Sequence, residues 1–310
     1  MSKRKGNSIP GNQKYSVADL RSEFPDDAAC LDFIKEQRWP DGRVYCEKCK
    51  AEHKHYRVTG RTAYACDHCG NHIYPLAGTI FEKSTTRLTL WFHAMFLMGS
   101  TRCGVSAKQI QREIGVTYKT AWRMFKQIRT LMSEELSLEG STSVEIDEAY
   151  MGGKRKFKHG TRGMRGRAGS GNDKTPVLGM VERGGRVIAR VTPDVKIATV
   201  YPIIHEYVMP SSIVYTDEYS IYDRLATPEN GYIHHRIKHQ DKIYVMGDVH
   251  TQTIEGFWSL VKRGIGGVYH SVGRKYLQSY LDEYSFRYNR RDANQPMFVS
   301  LLEQVALKAD

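Results

Sequence analysis

Four of the chain's six cysteines fall into two pairs, Cys46 with Cys49 and Cys66 with Cys69, each with two residues between its members. Sixteen residues separate the pairs. A Cys-x-x-Cys segment folds as a tight knuckle, and two knuckles at this spacing can close four thiolates around one tetrahedral Zn²⁺. Gly70, directly after the second pair, suits the turn that a knuckle needs. The pattern predicts a small zinc ribbon over residues 40–82. A closed four-thiolate shell leaves no open coordination position, so this zinc is expected to be structural. His53, His55, His68 and His72 lie nearby and are read as bystanders. Cys30 and Cys103 stand alone and are expected to be small buried hydrophobes.

A length of 310 residues leaves room for two or three domains. The formal net charge of +12 points to a polyanionic partner, because Lys and Arg on phosphates release condensed counterions. No apolar run approaches the length of a membrane span. The basic N-terminus lacks the apolar stretch of a secretory signal, which fits a cytoplasmic protein whose cysteines serve metals rather than disulfides. Residues 1–39 read as a basic tail and a short helical segment, with Ser16 as a cap and Pro25 starting a second turn.

Residues 83–138 read as a helix-turn-helix region. Breaks fall at Gly104 and Gly115, with Ser106 and Thr117 placed to cap the two helices. On the second helix Trp122, Phe125, Ile128 and Met132 form an apolar stripe. Lys119, Arg123 and Lys126 recur on a different face, as a helix that enters the major groove requires.

From residue 139 to 310 the texture changes to α/β: three strands, a helix, a strand, a helix, a further strand, then helices. Asp147 in VEIDEAY and Asp217 in IVYTDEY are both read as strand-terminal aspartates. Glu145, Glu148 and Glu218 are rival carboxylates beside them. Glu255 lies off the apolar stripe of an amphipathic helix, with Lys262 and Arg263 two turns further on. Three carboxylates with no His or Cys among them suit hard cations. Two Mg²⁺ (or Mn²⁺) ions in such a set can drive an in-line displacement at phosphorus. Between Gly152 and Lys174 the chain carries Lys154, Arg155, Lys156 and five further cations against Asp173 alone, which reads as a DNA-tracking loop.

Several stretches together resemble bacterial insertion-sequence transposases of the DDE class, in the subgroup with an N-terminal zinc ribbon. They are FPDDAACLDFIKEQRWPDG, CEKC with CDHC, LAGTIFEKS, VEIDEAYMGGKRK, VYTDEYSIY, HTQTIEGFWSLVKRGIGGVYHSV and YLDEYSFRYNRR. The resemblance spans nearly the whole chain from about Phe24. It implies an RNase H-like mixed sheet flanked by helices and a catalytic triad that falls on Asp147, Asp217 and Glu255, separated by 70 and 38 residues. Lys262, seven residues after Glu255, matches the basic residue that such enzymes place on that helix. The expected activity is cleavage at the element's terminal inverted repeats to free a 3′-hydroxyl, which then attacks target DNA. The expected setting is a bacterial cytoplasm, nucleoid-associated, as a homodimer or larger on DNA. Two readings stand beside it: an RNase H-like nuclease that cuts without joining, and a non-enzymatic zinc-ribbon regulator.

Overall fold

A computed structural model describes residues 15–101, 103–134, 136–138, 143–152, 174–237 and 252–307. The chain divides into two compact units. The first comprises the residues up to Met132 together with those from Arg290, and the second spans Ser133–Asn289.

The first unit opens with α1 (Val17–Glu23) and α2 (Asp27–Arg38). Ser16 and Asp19 form a reciprocal capping box on α1. Pro25 stays outside the second helix, which Asp26 caps by accepting from the Ala29 amide at 2.8 Å. The ribbon follows as four antiparallel strands in sequential order: β1 (Arg43–Cys46), β2 (Ala51–Arg57), β3 (Tyr64–Cys66) and β4 (His72–Ile73).

Three helices come next: α3 (Leu88–Ser100), α4 (Ala107–Ile114) and α5 (Tyr118–Leu131). Both expected caps form, Ser106 on α4 and Thr117 on α5. Gly115 takes the left-handed conformation that ends α4, at φ 70°. Met95, Ile110, Met124, Phe125 and Ile128 are buried on these three helices. Cys30 is buried as expected, but Cys103 is exposed. It sits on the linker between α3 and α4, where Gly104 reverses the chain at φ 89°, rather than on a packed helix face. The helix that completes this unit comes from far along the sequence. Met297–Leu307 (α9, numbered in chain order) places Phe298 against Phe24, Phe92 and Phe96, with ring centroids 6.0–6.3 Å apart. Gly99 permits the approach, since a Cβ there would lie 3.0 Å from the Phe298 amide nitrogen.

The second unit is a five-stranded mixed sheet. Its elements are β5 (Val144–Met151), β6 (Thr175–Glu182), β7 (Val187–Val191), α6 (Ile197–Tyr207), β8 (Ile213–Thr216), β9 (Ile233–Arg236), α7 (Gln252–Gly264) and α8 (Leu277–Asn289). The strand order is β7-β6-β5-β8-β9, with β5 to β7 antiparallel and β8 and β9 parallel to β5. This is an RNase H-like arrangement. Among the described residues between β8 and β9 there is one 3-10 turn, Ser220–Tyr222, where the sequence pattern promised a full helix. One sheet face packs Val144, Ile146, Met180 and Val214 against Val200 and Ile204 of α6. Helices α7 and α8 cover the other face through residues such as Ile254, Phe257, Leu281 and Tyr284. Alternation along β5 therefore sends Val144 and Ile146 toward α6, and Glu145 and Asp147 toward α7.

Candidate active site and zinc centre

Asp147 is the fourth of the eight residues of β5, not its last. Antiparallel pairing with β6 carries the strand on to Met151. On its other side the parallel partner β8 pairs only with Val144 and Glu145. Asp147 thus lies beyond the end of that ladder, and the functional reading of a strand terminus survives on the β8 side alone. The register matches Glu145 with Tyr215, so two residues further it brings Asp147 level with Asp217, directly after β8. The two aspartates come level because β8 stops at Thr216 while β5, in parallel register with it, runs on through Asp147.

Glu255 arrives from the first turn of α7. Trp258, one turn later, donates its indole N–H to Asp147 Oδ2 at 3.0 Å. Residues three apart are neighbours on a helix, so this bond brings Glu255 to the aspartates. The indole fits because the residue across from Asp147 on β6 is Gly179, where any Cβ would overlap the Trp258 ring and crowd Ile254. A sequence pattern registers Trp258 only as part of an apolar stripe. Its polar edge and the need for glycine at 179 appear only when α7 lies on the sheet.

Burial raises the Asp147 carboxyl to about 6, and the charges of Asp217 and Glu255 push the same way, against the opposing Trp258 N–H. Glu148, one residue on, is raised to about 7 by burial, with Asp217 and Asp147 adding to the rise and a hydrogen bond from Tyr222 at 2.7 Å opposing it. The charges of Asp217 and Glu255 thus reach Asp147, and those of Asp217 and Asp147 reach Glu148. Glu145 is engaged elsewhere, and Glu218 is exposed. Lys262 and Arg263 are exposed in the last turn of α7. Lys154, Arg155 and Lys156 lie outside the described residues.

Among the described residues these three carboxylates are not drawn to within 4.8 Å of one another as the ribbon sulfurs are, and an all-oxygen set of this kind would hold hard divalent cations once its oxygens close on them. The raised carboxyls make a testable statement about stability. The folded chain holds protons that the unfolded chain releases, so this contribution is full below about pH 4 and is lost as pH climbs through 6 and 7. Melting curves of chelator-treated protein should show the second unit weakening between about pH 4 and 7, with Mg²⁺ restoring it at the upper end. Asp147→Asn should flatten that slope. A metal-free unit that instead gains stability over this range contradicts the assignment.

The four cysteine sulfurs of the ribbon all lie within 4.8 Å of one another. Cys46 and Cys69 are 3.5 Å apart, and Cys49 and Cys66 3.9 Å. A Zn–S bond of about 2.3 Å gives a tetrahedral edge of about 3.8 Å, so the sulfurs fit one Zn²⁺. The knuckles repeat each other. Lys50 N–H donates to Cys46 O at 2.8 Å, and Gly70 N–H to Cys66 O at 3.0 Å. Both residues take positive φ, 53° and 70°, so the glycine is at ease where Lys50 is not. His53 pairs with Asp67 at 3.2 Å and stacks on His68.

Comparison with known proteins gives the family. Residues 25–72 match the transposase zinc-ribbon domain, and residues 137–289 match the ISXO2-like transposase domain. An uncharacterized protein in transposable element ISH50 of Halobacterium salinarum is 32% identical over 280 residues, covering 85% of this chain and 91% of that relative. An uncharacterized transposase-like protein of Haemophilus influenzae is 32% identical over 120 residues, 39% of this chain and 93% of its own length. The chain belongs to the insertion-sequence transposases of the DDE class that join a transposase zinc ribbon to an ISXO2-like transposase domain.

Proposed function

We propose that this transposase cleaves DNA at the terminal inverted repeats of its element and joins the freed 3′-hydroxyl to a target phosphodiester, both at Asp147, Asp217 and Glu255. The observation that carries the reading is the register of β5 and β8, which sets two aspartates level beside a helix that presents Glu255. Two Mg²⁺ or Mn²⁺ ions, when bound, would polarise the attacking and leaving oxygens of an in-line displacement. Asp147 and Asp217 would hold these ions from the sheet, and Glu255 from the helix. Trp258 orients Asp147 by fixing one carboxylate oxygen. Lys262 and Arg263 extend a basic edge along α7 toward the phosphate backbone. The test is a labelled terminal-repeat duplex incubated with protein and Mg²⁺, read for both nicks and strand-transfer products. Nicks without joining would favour a plain nuclease, and neither product a DNA-binding regulator.

DNA recognition is assigned to α4 and α5. Lys119 and Lys126 are exposed on α5. Arg123 is also exposed, yet its guanidinium donates to the Glu82 carbonyl at 3.0 Å, so part of its donor set is already used. Lys119→Ala is therefore expected to cost about 1–3 kcal/mol of preference for the element's ends, and Arg123→Ala less. Filter binding to terminal-repeat and random duplexes over a salt series checks this. Equal losses on both DNAs would remove the base-reading role and leave only phosphate contact.

A further inference from the structure

Glu145 is fully buried two residues ahead of Asp147 on the same face of β5. It accepts the backbone N–H groups of Thr253 at 2.9 Å and Ile254 at 3.0 Å, and the Thr253 hydroxyl at 3.0 Å. The leading amides of α7 are thus bound by a strand residue. A carboxylate suits the site, since the first amides of a helix carry no intrahelical partner and the helix dipole favours negative charge there. Arg183 balances the charge, with Nε 2.9 Å from Glu145 Oε1. The same guanidinium lies over the ring of Tyr215, 4.1 Å from its centroid.

These contacts repeat one offset. Glu145 stands two residues before Asp147, Tyr215 two before Asp217, and Thr253 two before Glu255. Glu145 and Tyr215 are also partners in the β5–β8 register. One partly buried ion pair therefore touches all three elements that carry the triad, at the same distance along each chain segment from its acidic member.

We propose that Glu145, with Arg183, is a positioning residue that sets the mutual placement of Asp147, Asp217 and Glu255. A cap supplied by a residue of α7 itself would satisfy the helix amides equally well but leave the helix free to shift against the sheet. The buried carboxylate makes capping and docking the same interaction. Its loss would leave the α7 amides buried without their acceptor and take one partner from Arg183, and the helix would settle where other acceptors reach them. The inference rests on the triad assignment proposed above.

The test uses the full chain with Glu145→Gln, which keeps shape and one acceptor, and Thr253→Val, which removes only the hydroxyl contact. Ile204→Val, in the core on the opposite face, serves as a stability control. Two quantities are read: the Mg²⁺ midpoint for nicking of the terminal-repeat duplex, and the Mg²⁺ midpoint of the rise in melting temperature without DNA. Glu145→Gln is expected to raise both midpoints about 10–100-fold, the usual scale for groups that orient metal ligands, and Thr253→Val to raise them less. Ile204→Val should lower the melting temperature and leave both midpoints in place. If Glu145→Gln unfolds, Glu145→Gln with Arg183→Gln removes the positive charge that Glu145 balances and is read in the same way. Wild-type midpoints in a folded Glu145 variant, or in Thr253→Val should neither Glu145 variant fold, overturn the proposal. Failure of the underlying reading looks different: Glu255→Gln would then cleave like the wild type, whatever Glu145 does.

Discussion

Asp147→Asn, Asp217→Asn and Glu255→Gln should each lower nicking of a terminal-repeat duplex by more than about a thousandfold, a loss of about 4 kcal/mol or more in transition-state stabilisation. Each change deletes one anionic oxygen while keeping size and shape, so the cation centre fails and the fold does not. DNA binding should persist or tighten, because fewer carboxylates then face the phosphates. The three losses should not add in double mutants, since groups that act as one unit fail together. Glu218→Gln should do little. Glu148→Gln should fall between, at about tenfold, because Glu148 shares the electrostatic cluster but reaches it beside Tyr222. Cleavage should need Mg²⁺ or Mn²⁺ and stop with EDTA, while Ca²⁺ supports binding without turnover. A Glu255→Gln protein that nicks at the wild-type rate removes α7 from the chemistry.

Loss of zinc should be the most damaging change to the first unit. Purified protein is expected to carry about one Zn²⁺ per chain. Structural zinc contributes about 10–16 kcal/mol to folding of such modules, more than four short strands can recover by burial. Cys66→Ser, or prolonged chelation, should therefore expose residues 40–82 to limited proteolysis while the sheet of the second unit keeps its melting transition. Zinc content by atomic absorption, read beside the proteolysis pattern, checks both halves. A ribbon that stays protected at zero zinc ends the hypothesis. Lys50→Gly offers a milder probe, because it relieves a positive φ in the first knuckle and should raise resistance to chelation.

What the sequence announced depended on how local the chemistry was. Four cysteines at ribbon spacing, and caps at Ser106 and Thr117, act within a few residues of themselves and could be read directly. Asp147 and Asp217 were legible because each follows a similar apolar run, although only Asp217 stands at a strand end, and parallel register turned that likeness into adjacency. Glu145 could only be read as a rival carboxylate, for its partners lie 108 and 109 residues away. Gly179 and Trp258 explain each other only across the sheet. Cys103 followed the average behaviour of free cysteines into error, since a linker residue has no packed face to join. The turn between β8 and β9 read as a helix because its apolar residues, Ile221, Tyr222 and Leu225, are needed by the sheet core rather than by a helix of their own.

Helix α9 gives the first unit an unusual dependence on the order of synthesis. Phe298 belongs among Phe24, Phe92 and Phe96, yet it leaves the ribosome only after the whole second unit has been made. Domains that fold as they emerge bury their cores early, but this one must wait with an aromatic cleft open. A product of premature termination or proteolysis after Asn289 would keep every triad residue and still lack the wedge that seals the N-terminal helices. Such fragments should be aggregation-prone and weak on DNA, so that truncated copies of the element would have little capacity to compete with the intact protein for its ends.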